Sequence, residues 1–137
     1  MKTTTRFIAL SVSLLFTQTF AGEILVIGNS NLAKMDTVTI QKIYTGKFIS
    51  VAGVNVTPVA VKPGTISRNK VLNDFLNQDE EKYTAYWIVR RYIGKGVPPT
   101  ELDTAGDVIR YVQANPGAIG YIEDTEFRQG MNVIARQ

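Results

Sequence analysis

The chain is 137 residues long, carries 15 basic against 12 acidic side chains, and contains neither histidine nor cysteine. That length supports one domain with its own hydrophobic core. The missing residue types exclude Ser–His and Cys–His nucleophile arrangements, histidine or thiolate metal sites, and disulfides.

Residues 1–21 read as a secretory signal peptide. Lys2 and Arg6 give a positive start, residues 7–16 form a short apolar run, and residues 17–21 are small and polar enough for cleavage, expected after Ala21. The run is shorter than the ~20 apolar residues that a bilayer span needs. The expected product is a periplasmic or secreted domain over residues 22–137, not a transmembrane protein. It holds 13 basic and 12 acidic side chains, which gives no case for a nucleic-acid partner.

From residue 22 onward, apolar runs alternate with helical periodicities. Residues 23–27 read as a strand covered on both faces, ending in a turn at Gly28-Asn29-Ser30. Asp36 or Thr37 can cap a helix whose inner face carries Ile40, Ile43 and Tyr44, with Gly46 as its stop. Residues 54–61 read as a second strand, in which Pro58 points to an edge position or a start after that residue. Lys70 to Leu76 has helical spacing, with Ser67 as the expected N-cap. A longer helix is expected over residues 80–92, offering Tyr83, Tyr86, Trp87, Ile88 and Tyr92 on a broad face, and Pro98-Pro99 prevent its continuation. Thr104 to Asp107 has the capping-box form and opens another helix. A strand follows at 118–122, then an acidic turn and a last strand at Val133-Ile134. Strands separated by helices predict an α/β layer structure with a largely parallel sheet.

Several functional signals are weak. Asp79-Glu80-Glu81 suits a helix start, where negative charge complements the dipole. Glu123, Asp124 and Glu126 match no EF-hand loop and read as a solvated turn rather than a calcium site. Neither phosphate-loop fingerprint is present, so no cofactor is expected. The aromatics of residues 83–92 could stack sugars, although their spacing fits core packing. No catalytic residue emerges, and the chain is read as a non-enzyme.

The stretch at residues 62–69, Lys-Pro-Gly-Thr-Ile-Ser-Arg-Asn, stands between a strand and a helix. Such a loop leaves backbone N–H groups pointing outward at the positive end of the helix dipole, and Lys62 and Arg68 flank the spot. The stretch is either an oxyanion site or an ordinary capped helix.

Further motifs carry a resemblance. At Tyr86-Trp87, at residues 94–99 (Gly-Lys-Gly-Val-Pro-Pro) and at residues 115–121 (Asn-Pro-Gly-Ala-Ile-Gly-Tyr), the chain resembles the phosphate-binding subunits of ABC transporters. Residues 43–47 look like that family's Ile-Phe-x-Gly segment, and Phe75 fits its Arg-x-x-x-Phe region. The match covers nearly all of residues 22–137 in the right order, and residues 116–121 are its most specific piece.

The resemblance implies a three-layer α/β lobe like one domain of a type II periplasmic binding protein. It also implies phosphate capture through backbone N–H groups and hydroxyls, in a Ser-Gly-Thr loop at a helix N-terminus with an arginine nearby. The corresponding residues here are Thr65, Ser67 and Arg68, with Ser30 as a second hydroxyl contact. The compact Ser-Gly-Thr form is absent, and residues 22–137 make about one lobe of a two-lobed trap. A second copy or another envelope protein would then supply the missing wall. The alternative is a non-catalytic envelope interaction module that has lost ligand binding.

Overall fold

The computed structural model describes residues 22–137; the expected signal peptide lies outside the described residues. Strand β1 (Ile24–Gly28) is buried along its whole length, as its unbroken apolar run predicts. Helix α1 (Thr37–Tyr44) is capped by Asp36, whose carboxylate accepts the Thr39 N–H at 2.7 Å, and it buries Ile40, Ile43 and Tyr44.

The run at residues 54–61 is not one strand. Its start, β3 (Val54–Asn55), forms a small hairpin with β2 (Ser50–Val51), and its remainder, β4 (Thr57–Val61), enters the main sheet. Pro58 is tolerated there without β4 being an edge strand. The Thr57 N–H points toward β6 (Ala118–Glu123), bonding Gly117 O at 2.9 Å. Alternation therefore turns the Pro58 nitrogen toward β5 (Thr100–Leu102), whose pairing starts only at Val59. Strand β5 has no counterpart in the sequence reading, because three residues directly after Pro98-Pro99 show no periodicity.

Helices α2 (Ile66–Asp74) and α3 (Glu80–Tyr92) follow β4, and α4 (Ala105–Ala114) links β5 to β6. Thr65 caps α2, not Ser67, which lies inside the first turn. Asp79 caps α3 and Thr104 caps α4 through the Asp107 N–H. Strand β7 (Asn132–Arg136) closes the chain.

The main sheet has the order β5-β4-β6-β1-β7. Strand β4 is parallel to β5 and β6, whereas β1 is antiparallel to both β6 and β7. Four strands thus run one way and β1 runs against them, so the fold is mixed α/β with a mostly parallel sheet. The helices form two outer layers. Gly120 faces α4, where an added Cβ would come within 2.4 Å of Val108. The next side chain, Tyr121, points to the opposite face, where its ring lies 5.9 Å from that of Tyr44 on α1. Tyr44, Phe75, Tyr83, Trp87 and Tyr121 are all buried there in one core. Among the described residues no helix is long and apolar enough to cross a membrane.

Candidate functional site

Residues 62–65 carry the chain from the end of β4 to the start of α2, and Gly64 makes the turn with φ +89°, a conformation that favours glycine. The Thr65 hydroxyl donates to Lys62 O at 3.1 Å and accepts the Arg68 N–H at 3.3 Å. Its one proton is therefore spent inside the turn. The N–H groups of Ile66 and Ser67 precede the helical ladder and have no hydrogen-bond partner among the described residues. The Ser67 hydroxyl likewise makes no hydrogen bond among the described residues, although the side chain is largely buried. Lys62 is exposed and makes no ion pair among the described residues.

Arg68 does not flank the loop as a free cation. It is 4% exposed and turns beneath the helix start. Its Nε donates to Glu80 Oε2 at 3.0 Å, its Nη2 to Glu80 Oε1 at 2.9 Å, and its Nη1 to Val61 O at 3.3 Å. Glu101 on β5 lies 3.5 Å from Nη2, and the Tyr83 ring stacks under the guanidinium at 5.2 Å. Burial disfavours the charge on Arg68, but hydrogen bonds and attraction from Glu80 outweigh it and hold its pKa above the ordinary arginine value. Glu80 was legible as a helix-start carboxylate; that its partner is an arginine 12 positions earlier follows from folding α3 back over α2.

Three tyrosines brace this region from inside. Tyr121 Oη accepts the Val61 N–H at 3.1 Å, Tyr44 Oη donates to Val59 O at 2.9 Å, and Tyr83 Oη donates to Tyr44 O at 2.7 Å. Burial pushes all three phenols up, that of Tyr83 to about 12. None faces the loop as an acid or base at neutral pH.

Ser30 is at the other end of the molecule. Gly28 pairs with Ile119 at the entry of β6, so the turn after β1 lies where β6 begins, whereas α2 starts where β4 and β6 end. The length of β6 separates them, roughly 17 Å at about 3.3 Å per residue. The structure brings Thr65, Ser67 and Arg68 together and leaves Ser30 out. Ser30 entered as a second hydroxyl contact through the resemblance alone, and the turn that carries it lies at the far end of β6 because β1 runs antiparallel to β6. Among the described residues no group of carboxylates is arranged to hold a metal ion.

The architecture has known counterparts. A phosphate-bound structure from Clostridium perfringens, described as a phosphate ABC transporter substrate-binding protein, superimposes with a TM-score of 0.63 at 20% identity, over 82% of this chain and 45% of that one. An ABC-type phosphate transport receptor from Vibrio cholerae gives a TM-score of 0.63 at 12% identity, over 82% and 46%. PstS from Borrelia burgdorferi gives 0.61 at 15% identity, over 83% and 47%. The chain therefore has the fold of about half of these binding proteins and spans less than half their length. No protein-family model and no curated protein matches the sequence.

Proposed function

We propose that residues 22–137 form an exported oxyanion-binding lobe that takes phosphate at the N-terminus of α2. The observation that carries this reading is the first turn of that helix, where the Ile66 and Ser67 N–H groups and the Ser67 hydroxyl are uncommitted among the described residues. Backbone donors at the positive end of a helix are a ready anion site. In this reading Ser67 and the backbone donate to the anion, and Lys62 supplies the exposed positive charge. Thr65 and Arg68 shape the turn from within. The likeness to a phosphate-bound fold supports phosphate as the anion. A second wall, from another copy or a different envelope protein, completes the site, because charge-assisted hydrogen bonds gain strength where water is excluded.

A second reading has its own support. The Arg68 fork is filled by Glu80, and Ile66 is 65% exposed beside the donors, an apolar side chain where an anion would approach. These features suit a non-catalytic interaction module that has lost its ligand.

Thermal melting separates the two. With phosphate at 100 times its dissociation constant, residues 22–137 should gain about 2.7 kcal/mol, a shift of several degrees. Chloride at matched ionic strength should give less. A melting point unmoved by tens of millimolar phosphate would leave the second reading standing.

A further inference from the structure

We infer that the face made by the end of α3, the loop after it and the β2–β3 hairpin is a docking surface for an anionic lipid bilayer. This inference does not rest on the anion site at α2, which lies at the opposite end of α3.

The inward side of α3 buries Tyr83 and Trp87, but the helix stays apolar on its outward side as well. Ile88, Tyr92 and Ile93 are exposed, Tyr92 to 92%, and Val97 continues the patch beyond the helix. On the hairpin side, Ile49 is 78% exposed. A fixed scaffold joins the two segments. Arg90 Nη2 donates to Gly46 O and to Lys95 O, both at 3.3 Å. Gly46 sits so tightly on the Trp87 ring that an added Cβ would come within 2.6 Å of it. Trp87, Ile49 and Val97 line one shallow cleft.

The charge pattern names the occupant. Residues 37–73 and 82–100 contain basic side chains and no acidic one, although the chain as a whole has 15 and 12. Lys42, Lys47, Arg91 and Lys95 fall in those segments around the patch, and none makes an ion pair among the described residues. An apolar patch this exposed marks an interaction site. Exposed aliphatic and aromatic side chains set among unpaired bases fit a headgroup layer, with phosphates for the cations and acyl boundary for the apolar groups. Protein interfaces are depleted in lysine, and three of these four cations are lysines whose stems can lie along apolar surface.

Co-sedimentation with vesicles tests the inference, using residues 22–137 so that the apolar run at 7–16 contributes nothing. That segment contains the complete core just described. The protein should pellet with phosphatidylcholine vesicles containing phosphatidylglycerol, not with phosphatidylcholine alone, and less as salt is raised. The triple variant Lys47→Gln, Arg91→Gln, Lys95→Gln should bind on the order of a hundredfold more weakly. The double variant Tyr92→Ser, Ile93→Ser should weaken binding at constant salt, with circular dichroism showing that both variants keep the fold. Equal binding to both vesicle types, no binding, or unchanged binding by folded triple variant overturns the inference. Retention on immobilised polyglutamate without vesicle binding also overturns it, in favour of an acidic protein partner.

Discussion

Arg68 and Glu80 meet fork to fork, Nε to Oε2 at 3.0 Å and Nη2 to Oε1 at 2.9 Å, tying the first turn of α2 to that of α3. The two ends are unequal: the Arg68 side chain is 5% exposed and that of Glu80 33%. Removing Glu80 strands a buried guanidinium, although Glu101 and Val61 O still face it. Removing Arg68 leaves a carboxylate that can reach water. Breaking a buried pair costs roughly 3–5 kcal/mol when an uncompensated charge stays inside. Because the Glu80 side is partly solvated, Glu80→Leu should cost about 2–3 kcal/mol in urea unfolding. Arg68→Leu, which also loses the stacking on Tyr83, should cost about as much. A double-mutant cycle should return a coupling above 1 kcal/mol. A coupling near zero would mean that the pair holds nothing together.

Gly117 carries a different constraint. Its φ is +78°, and an added Cβ would lie 2.1 Å from Asn55 O, a backbone atom that cannot swing away. Gly117→Ala must therefore separate the β6 entry from the β3–β4 junction, where Thr57 N bonds Gly117 O. A loss of about 3 kcal/mol or more is expected, read as a lowered urea midpoint. Gly53→Ala is the control: its φ is also positive, but nothing lies within 4 Å, so only the backbone term of about 1 kcal/mol applies.

That contrast shows what the sequence could and could not reveal. The run at residues 116–121 was recognisable as a motif, and its residues have separable reasons: Gly117 for the close approach, Gly120 for the seat of α4, Tyr121 for the bond to Val61. Strand β1, α1, α3 and α4 were legible because apolar periodicity and caps are local. The reversed direction of β1, which sets Ser30 apart from the α2 start, was not, since direction is set by which strands it lies between. The Arg68–Glu80 pair was hidden for the same reason. Ile88 and Tyr92 continue the apolar pattern of α3, yet they face outward; periodicity records which residues are apolar, not whether anything covers them.

Alkaline pH should expose the tyrosine braces. The Tyr83 phenol is pushed from 10 to about 12, mainly by burial. In the unfolded chain it titrates near 10, so between pH 10 and 12 the unfolded state binds fewer protons than the folded one. The contribution of this group is fully present below pH 10 and is lost as pH rises through 12, a change of about 2.7 kcal/mol for two units. Burial raises Tyr44 and Tyr121 as well and steepens the fall. Tyr83→Phe should lose about 1 kcal/mol at pH 7, for the bond to Tyr44 O, and then show a shallower decline above pH 10. Melting curves at pH 7 and pH 11 for both proteins check this; parallel declines would contradict it.

Lys62 and Ser67 test how the α2 site holds an anion. A hydroxyl bonded to a charged ligand contributes about 1.5–3 kcal/mol, so Ser67→Ala should weaken phosphate binding roughly tenfold to a hundredfold. The Lys62 charge acts across solvent, where such contributions run about 0.2–1 kcal/mol. Lys62→Gln should therefore weaken binding no more than about fivefold, and the difference should shrink as salt is added. Neither change touches the core, and without phosphate both variants should melt close to the parent, since Lys62 is exposed and the Ser67 hydroxyl bonds nothing among the described residues. Phosphate-dependent melting shifts measured at several concentrations give the three dissociation constants. Equal constants for parent and Ser67→Ala would remove the first turn of α2 as the place where phosphate sits.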